Sequence, residues 1–141
     1  MDHAETVEQL RNVPLFKGFS EEELGHVAQM TKRVEFPEGR TVATQGEVGV
    51  GFHQIVEGAA DVIQDGRTIG HLKPGDYFGE ISLIDGGTRS ATVTTTAPTT
   101  TLSIPIWEFR RLIEHNHQVT QKLLVGLCHM LRSNRSQPED G

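Results

Sequence analysis

The spacing of apolar positions along this chain changes twice, from helical to strand-like and back. At the N-terminus, Asp2 and Glu5 stand at capping-box separation ahead of Val7 and Leu10, which predicts a short helix through about Asn12, ended by Pro14. Leu15-Phe16-Lys17-Gly18-Phe19 reads as a compact apolar connector. Ser20, with Glu23 three residues on, opens a second helix whose apolar stripe is Leu24, Val27, Ala28 and Thr31. From Arg33 to Ile104 the signal becomes short β runs punctuated by glycine, at 34–36, 41–44, 52–56, 59–64, 67–72, 90–96 and 99–104. Asp65-Gly66 carries the residues of a two-residue hairpin turn, and Lys73-Pro74-Gly75-Asp76 places Pro and Gly where a type II turn needs them. Runs at this spacing predict a barrel, roll or sandwich of antiparallel sheet.

Helical spacing returns after Ile104. Pro105 at a first helical position, then Trp107, Phe109, Leu112 and Ile113, predict a helix of about ten residues, interrupted at Asn116. A second helix runs from about His117 to Asn134. It carries Val119, Leu123, Leu127 and Met130 on one side, with Leu124, Cys128 and Leu131 beside them. That stripe is wider than packing on a β domain requires, so half of it is expected to meet a second copy of the chain. Residues 134–141 form a polar tail. The seven threonines between Thr92 and Thr101 interleave with Val93, Ala97 and Leu102, and threonine is β-branched, so they read as strands and not as a low-complexity stalk.

Length and charge narrow the function classes. At 141 residues there is room for one domain, expected over 1–133, with N-terminal helices at 1–31, a β region at 32–104 and C-terminal helices at 105–133. The balance of 13 basic against 19 acidic residues, a net −6, disfavours direct binding to nucleic acid. No apolar run is long enough to span a bilayer and no signal pattern opens the chain, so the expected location is cytoplasmic, away from membranes. The lone Cys128 suits a reducing compartment and is expected to be a small buried filler.

An acidic chain that binds an anion must do so locally, and one stretch is built for it. After the apolar pair Tyr77-Phe78, Gly79 permits close backbone approach and Glu80 to Leu83 read as one turn of helix, whose first amides lack partners. Arg89 follows ten residues after Gly79, and Gly86-Gly87 lets the loop turn back to bring its guanidinium over that helix start. Such a fork makes two parallel charge-assisted bonds to phosphate oxygens. Ser90 adds a hydroxyl and an amide. Glu80 is a carboxylate beside an anion site, which is unfavourable unless it accepts hydrogen bonds from the ligand, as from a ribose hydroxyl.

The string Phe78-Gly79-Glu80-Ile81-Ser82-Leu83, with Arg89-Ser90-Ala91 ten positions after the glycine, resembles the phosphate-binding cassette of the cyclic-nucleotide-binding domain family, spanning 78–93 here. The Leu-Phe-x-Gly-Phe-Ser-x-x-Glu-Leu opening and the glycines at 39, 46, 58, 75 and 79 resemble the same family, whose fold is an antiparallel jelly-roll β-barrel with flanking helices. Gly51 and His53 depart from it, replacing acidic and tyrosine residues often found there. The resemblance implies that Arg89 takes the cyclic phosphate, Glu80 the ribose 2′-hydroxyl, and the amides near Ser82 and Ser90 the remaining phosphate oxygens, with Gly79, Ile81 and Ala91 completing the cassette. It further implies a base wall of Val62, Ile69 and Leu72, with Gly70 making room for the ring, and a lid drawn from Arg132, Asn134 and Arg135. Serine at position 90 implies cAMP as ligand in preference to cGMP.

The expected function is therefore a regulatory binding module, not an enzyme, that has no cofactor besides its ligand and signals occupancy through its C-terminal helices to a separate, unidentified protein partner. Two other readings stay open: a scaffold subunit with a vestigial pocket, and a cupin-like metalloenzyme. The last needs clustered histidines. His53 and His71 fall on separate strands, and His115 and His117 at a helix junction, so no metal site is expected.

Overall fold

The computed structural model describes residues 1–49 and 51–135, the last two by their backbone alone. Within these, the chain divides into two compact units, one comprising residues 1–29 with 111–135 and the other drawn from residues 30–110.

The first unit is helical. Helix α1 (His3–Arg11) begins at the expected capping box, with the Glu5 amide donating to Asp2 Oδ1 at 2.8 Å and the Asp2 amide to Glu5 Oε1 at 3.2 Å. Helix α2 (Glu21–Met30) repeats the device through Ser20 and Glu23 at 2.8 and 3.1 Å. Between them a 3-10 turn, Pro14–Phe16, buries Leu15 and Phe16. The long helix α5 (His117–Arg135) is capped by the Asn116 side chain, which accepts from the Val119 amide at 3.0 Å. It lies close on the 3-10 turn because Gly126 has no side chain: a Cβ there would stand 2.9 Å from the Leu15 carbonyl oxygen. Lys122 reaches the buried Glu23 at 2.6 Å. Val119 and Leu123 are buried along α5, whereas Leu124, Val125 and Leu131 are exposed, and Cys128 with them. The expectation of a buried Cys128 is therefore corrected; the apolar stripe is indeed too wide, and only one side of it is covered.

The second unit is two antiparallel four-stranded sheets. Its strands are β1 (Lys32–Phe36), β2 (Thr41–Ala43), β3 (Gly51–Glu57), β4 (Ala60–Gln64), β5 (Arg67–Leu72), β6 (Tyr77–Phe78), β7 (Thr92–Thr95) and β8 (Thr99–Pro105), with a short helix α3 (Glu80–Asp85) between β6 and β7. One sheet runs β1-β8-β3-β6 and the other β2-β7-β4-β5. They are two sheets, not one ladder closed on itself. The β4–β5 turn has positive φ at both Asp65 (52°) and Gly66 (79°), the conformation that suits the right-handed twist of a two-residue hairpin. The Asp76 amide closes the next turn on the Lys73 carbonyl at 2.9 Å, with Gly75 at φ 98°. Pro105 ends β8, paired with Gly51, and helix α4 (Ile106–His115) begins one residue later than the sequence suggested; a residue without N–H is tolerated at a strand end.

The threonine run is structural. Thr95 Oγ1 donates to the Pro37 carbonyl at 2.6 Å and accepts from the Arg40 amide at 2.8 Å, fastening the β1–β2 turn, while Thr99 Oγ1 donates to the Ala59 and Ala97 carbonyls at 3.1 and 2.9 Å. Between the sheets, Ala43, Ile55, Ala60 and Val93 form a core against which Val62, Leu72 and Phe78 pack. Ala43, Val62, Leu72, Phe78 and Val93 of this core also line a cavity.

Candidate functional site

The sequence places a glycine, a short helix and an arginine in order, and the fold brings them around one cavity. Gly79 takes the left-handed conformation (φ 89°, ψ 11°) at the start of α3, and Gly86 (φ 67°) ends the helix with its amide on the Ser82 carbonyl at 2.9 Å. The chain then returns along the β2–β3 connection. The Gly46 amide donates to the Arg89 carbonyl at 2.9 Å, the Arg89 amide to the Glu47 carbonyl at 2.8 Å, and the Gly49 amide to the Gly87 carbonyl at 3.3 Å. These bonds fix the backbone that carries Arg89.

The Arg89 side chain is 8% exposed. Nη2 donates to the Gly51 carbonyl at 2.5 Å, and Nη1 is buried with no hydrogen-bond partner among the described residues. Glycine makes its path. A Cβ on Gly49 would lie 2.5 Å from Nε and 2.7 Å from Cζ, and one on Gly79 would collide with Nη1 and stand 2.6 Å from the Gly51 oxygen. No carboxylate of a described residue comes within ion-pair distance of this guanidinium. Burial pulls its pKa below the ordinary arginine value, against the opposing influence of the Glu80 charge. Glu80 is displaced the other way: burial raises its pKa, while its own amide and the Arg89 charge act to lower it. A buried cation with an orphaned donor and a desolvated carboxyl near it is an unfavourable arrangement that an anion carrying a hydroxyl group would relieve.

The cavity has a volume of about 370 Å³, within the range of small-ligand sites, and its wall divides by chemistry. Gly79, Glu80, Ser82, Thr88, Arg89 and Ser90 make a polar end, and Ala43, Val62, Leu72, Phe78 and Val93 an apolar one, with Tyr77, Ile81 and Ala91 also lining it. All seven cassette residues singled out from the sequence meet here, as do Val62 and Leu72. Ile69 does not. Along β5 successive side chains alternate between faces, so Gly70 and Leu72 share one face and Ile69 takes the other, where it is 58% exposed. Gly70 pairs with Val62 but is not among the lining residues, and a Cβ there would meet nothing within 4 Å. Of the lid residues, Arg132 is exposed on α5, and the side chains of Asn134 and Arg135 lie outside the described residues.

A family model for the cyclic nucleotide-binding domain matches residues 33–116. The chain belongs to the cyclic nucleotide-binding domain family. Over 105 residues it is 35% identical to a cAMP-dependent protein kinase regulatory subunit of Eremothecium gossypii, covering 74% of this chain and 23% of the relative. Over 128 residues it is 29% identical to the cyclic AMP receptor protein of Thermus thermophilus, covering 87% and 59%. Among solved structures, the regulatory domain of Toxoplasma gondii PKA, crystallised with cAMP, matches with a TM-score of 0.69 at 27% identity, covering 79% of this chain and 45% of that one. The chain thus spans from 23% to 59% of the length of these two curated relatives.

Within this cyclic nucleotide-binding domain, the histidine that departs from the family pattern is held by its neighbours. His53 Nδ1 bonds Ser103 Oγ at 2.7 Å and Thr101 Oγ1 at 3.3 Å, and its ring stacks on Phe78 at 5.1 Å between centroids. Burial, with the Arg89 charge nearby, pushes its pKa down from 6.5 to about 4. The folded state therefore favours the neutral ring. This stabilisation is fully present above pH 6.5 and is lost as pH falls through 6.5 toward 4, to a maximum of about 3 kcal/mol. Urea midpoints measured from pH 7 to 4.5 should fall less steeply for His53→Phe than for the unaltered chain. Identical slopes would show that His53 contributes nothing to acid sensitivity. His71, by contrast, is an exposed partner of Asp61 at 2.6 Å, and among the described residues no three His, Cys, Asp or Glu side chains converge as metal ligands.

Proposed function

We propose that this chain binds a 3′,5′-cyclic nucleotide, cAMP in preference to cGMP, and acts as a regulatory module. One observation carries the reading: the buried Arg89 guanidinium, whose Nη1 has no partner among the described residues, lines a cavity that is also lined by a cluster of packed apolar side chains. A phosphodiester oxygen pair offers the fork what the protein withholds. Glu80 then accepts from the ribose 2′-hydroxyl, and the amides near Ser82 and Ser90 complete the phosphate shell around Gly79, Ile81 and Ala91. The purine lies against Val62 and Leu72. Ser90, a small hydroxyl residue, supports cAMP, and so do the names of the relatives.

In this reading the paired sheets are the halves of a jelly roll, and occupancy is transmitted through the C-terminal helices to a separate protein in the cytoplasm, with no catalytic step. Such transmission requires the nucleotide to favour one arrangement of those helices over another. The exposed row Leu124, Cys128 and Leu131 on α5 supports a homodimer through that helix. Native mass spectrometry of the purified chain is the first test. A mass increment of one cyclic nucleotide per chain, displaced more readily by added cAMP than by cGMP, supports the reading; a chain that stays ligand-free in an excess of both overturns it.

A further inference from the structure

The base wall of the cavity is carried by the β4–β5 hairpin, in which β4 is laddered to β7 from Ala60 opposite Thr95 to Ile63 opposite Thr92, whereas β5 is held by β4 alone. Val62 lies on β4 and Leu72 on β5, and β5 is an edge strand whose one ladder partner is β4. A register shift falls between Val62 and Ile63, just before the hairpin tip. An edge strand has one row of backbone groups without a ladder partner, and a bulge interrupts the ladder locally.

The tip is nevertheless fastened, by side chains. Gln64 Nε2 donates to the carbonyl of Ser90, the residue after Arg89, at 3.0 Å. Gln45 faces Asp65 with both ends of its amide: Oε1 accepts from the Asp65 backbone N–H and Nε2 donates to Asp65 Oδ1, each at 2.9 Å. The Gln45 backbone N–H in turn donates to Thr92 Oγ1 at 2.9 Å. Asp65 is the one described non-glycine residue with positive φ, as its place in the hairpin turn requires, and Gln45 brackets it there. The three bonds join the hairpin that carries the apolar wall to the two segments, 44–49 and 87–92, that hold the Arg89 backbone.

We propose that Gln64 and Gln45 are positioning residues for the ligand, a latch that fixes the distance between the purine wall and the phosphate end. The proposal rests on the cyclic-nucleotide reading and adds to it. Neither glutamine touches the ligand; each acts through Val62 and Leu72. Releasing the latch loosens the β5 side of the wall, which carries Leu72, while Val62 stays paired with Val93 and Arg89 keeps its own anchors, so the loss falls on contacts to the base and not on contacts to the phosphate.

The test compares two ligands on the full chain, cAMP and the methyl glycoside of ribose 3′,5′-cyclic phosphate, which lacks a base. Both are measured by displacement of a fluorescent cAMP analogue. Gln64→Met keeps length and removes the donor. It should raise the Kd for cAMP about threefold to tenfold, the effect of one net hydrogen bond, with faster dissociation. Gln64→Met with Gln45→Met should raise it further, the base-free ligand should bind as before, and Gln64→Lys, which retains a donor at similar reach, should restore cAMP affinity. Equal losses for the two ligands would show general loosening of the fold and overturn the latch, as would unchanged affinity for both. An unaltered chain that binds neither ligand overturns the cyclic-nucleotide reading itself, and the latch role with it.

Discussion

Arg89→Ala is expected to weaken cAMP binding at least about a hundredfold, since two charge-assisted hydrogen bonds of about 1.5–3 kcal/mol each are removed together. The same change should leave the thermal midpoint of the ligand-free chain unchanged or raised. The guanidinium is buried, has one backbone acceptor and no ion pair among the described residues, and removing a buried unpaired charge relieves a desolvation cost. Loss of affinity with retained stability distinguishes a ligand-binding cation from a structural one. Arg89→Lys keeps the charge but not the planar fork, so it should fall between the two. Calorimetric titration with cAMP beside a thermal melt decides the matter, and an alanine variant that binds as tightly as the unaltered chain would remove Arg89 from the site.

Gly79→Ala should damage both fold and binding. The residue sits at φ 89°, where an L-residue is strained, and the added methyl would collide with Arg89 Nη1 and press on the Gly51 carbonyl that holds Nη2. Neither neighbour can yield freely, because one is backbone in β3 and the other is hemmed in by Gly49. Backbone strain and overpacking together should lower stability by roughly 2–4 kcal/mol. Displacement of the guanidinium should lower cAMP affinity with it. Urea denaturation gives the first quantity and titration of the remaining folded protein the second; a variant with unchanged midpoint and affinity would show that the cradle tolerates a side chain.

Local chemistry made much of this structure legible. Asp2 with Glu5 and Ser20 with Glu23 announce helix starts because each pair satisfies amides within one turn, and Asp65-Gly66 announces its hairpin because few residues accept positive φ. The cassette was legible for the same reason, its parts being close in sequence. What depended on distant partners was not. Gly49 and Gly51 gave no sign that they make room for, and accept a bond from, a side chain about forty positions away, and Gly51 looked only like a departure from a pattern. Ala43 and Val93 line the cavity because the register pairs them across β2 and β7, which no local spacing reveals. Ile69 is a neighbour of Gly70 in sequence but not on the base wall, because alternation along a strand puts neighbours on opposite faces. Cys128 was expected inside because apolar spacing on a helix states which residues share a face, not whether that face is covered.

The central claim is that a buried guanidinium whose Nη1 has no partner among the described residues, in a cavity with polar and apolar lining, is a receptor for a cyclic phosphodiester bearing a purine. Isothermal titration of the unaltered chain, freed of any co-purified nucleotide, with cAMP tests it most directly. Saturable binding of one nucleotide per chain, lost in Arg89→Ala, is the expected result. No heat and no saturation at millimolar cAMP, from a chain shown to be folded, would contradict it.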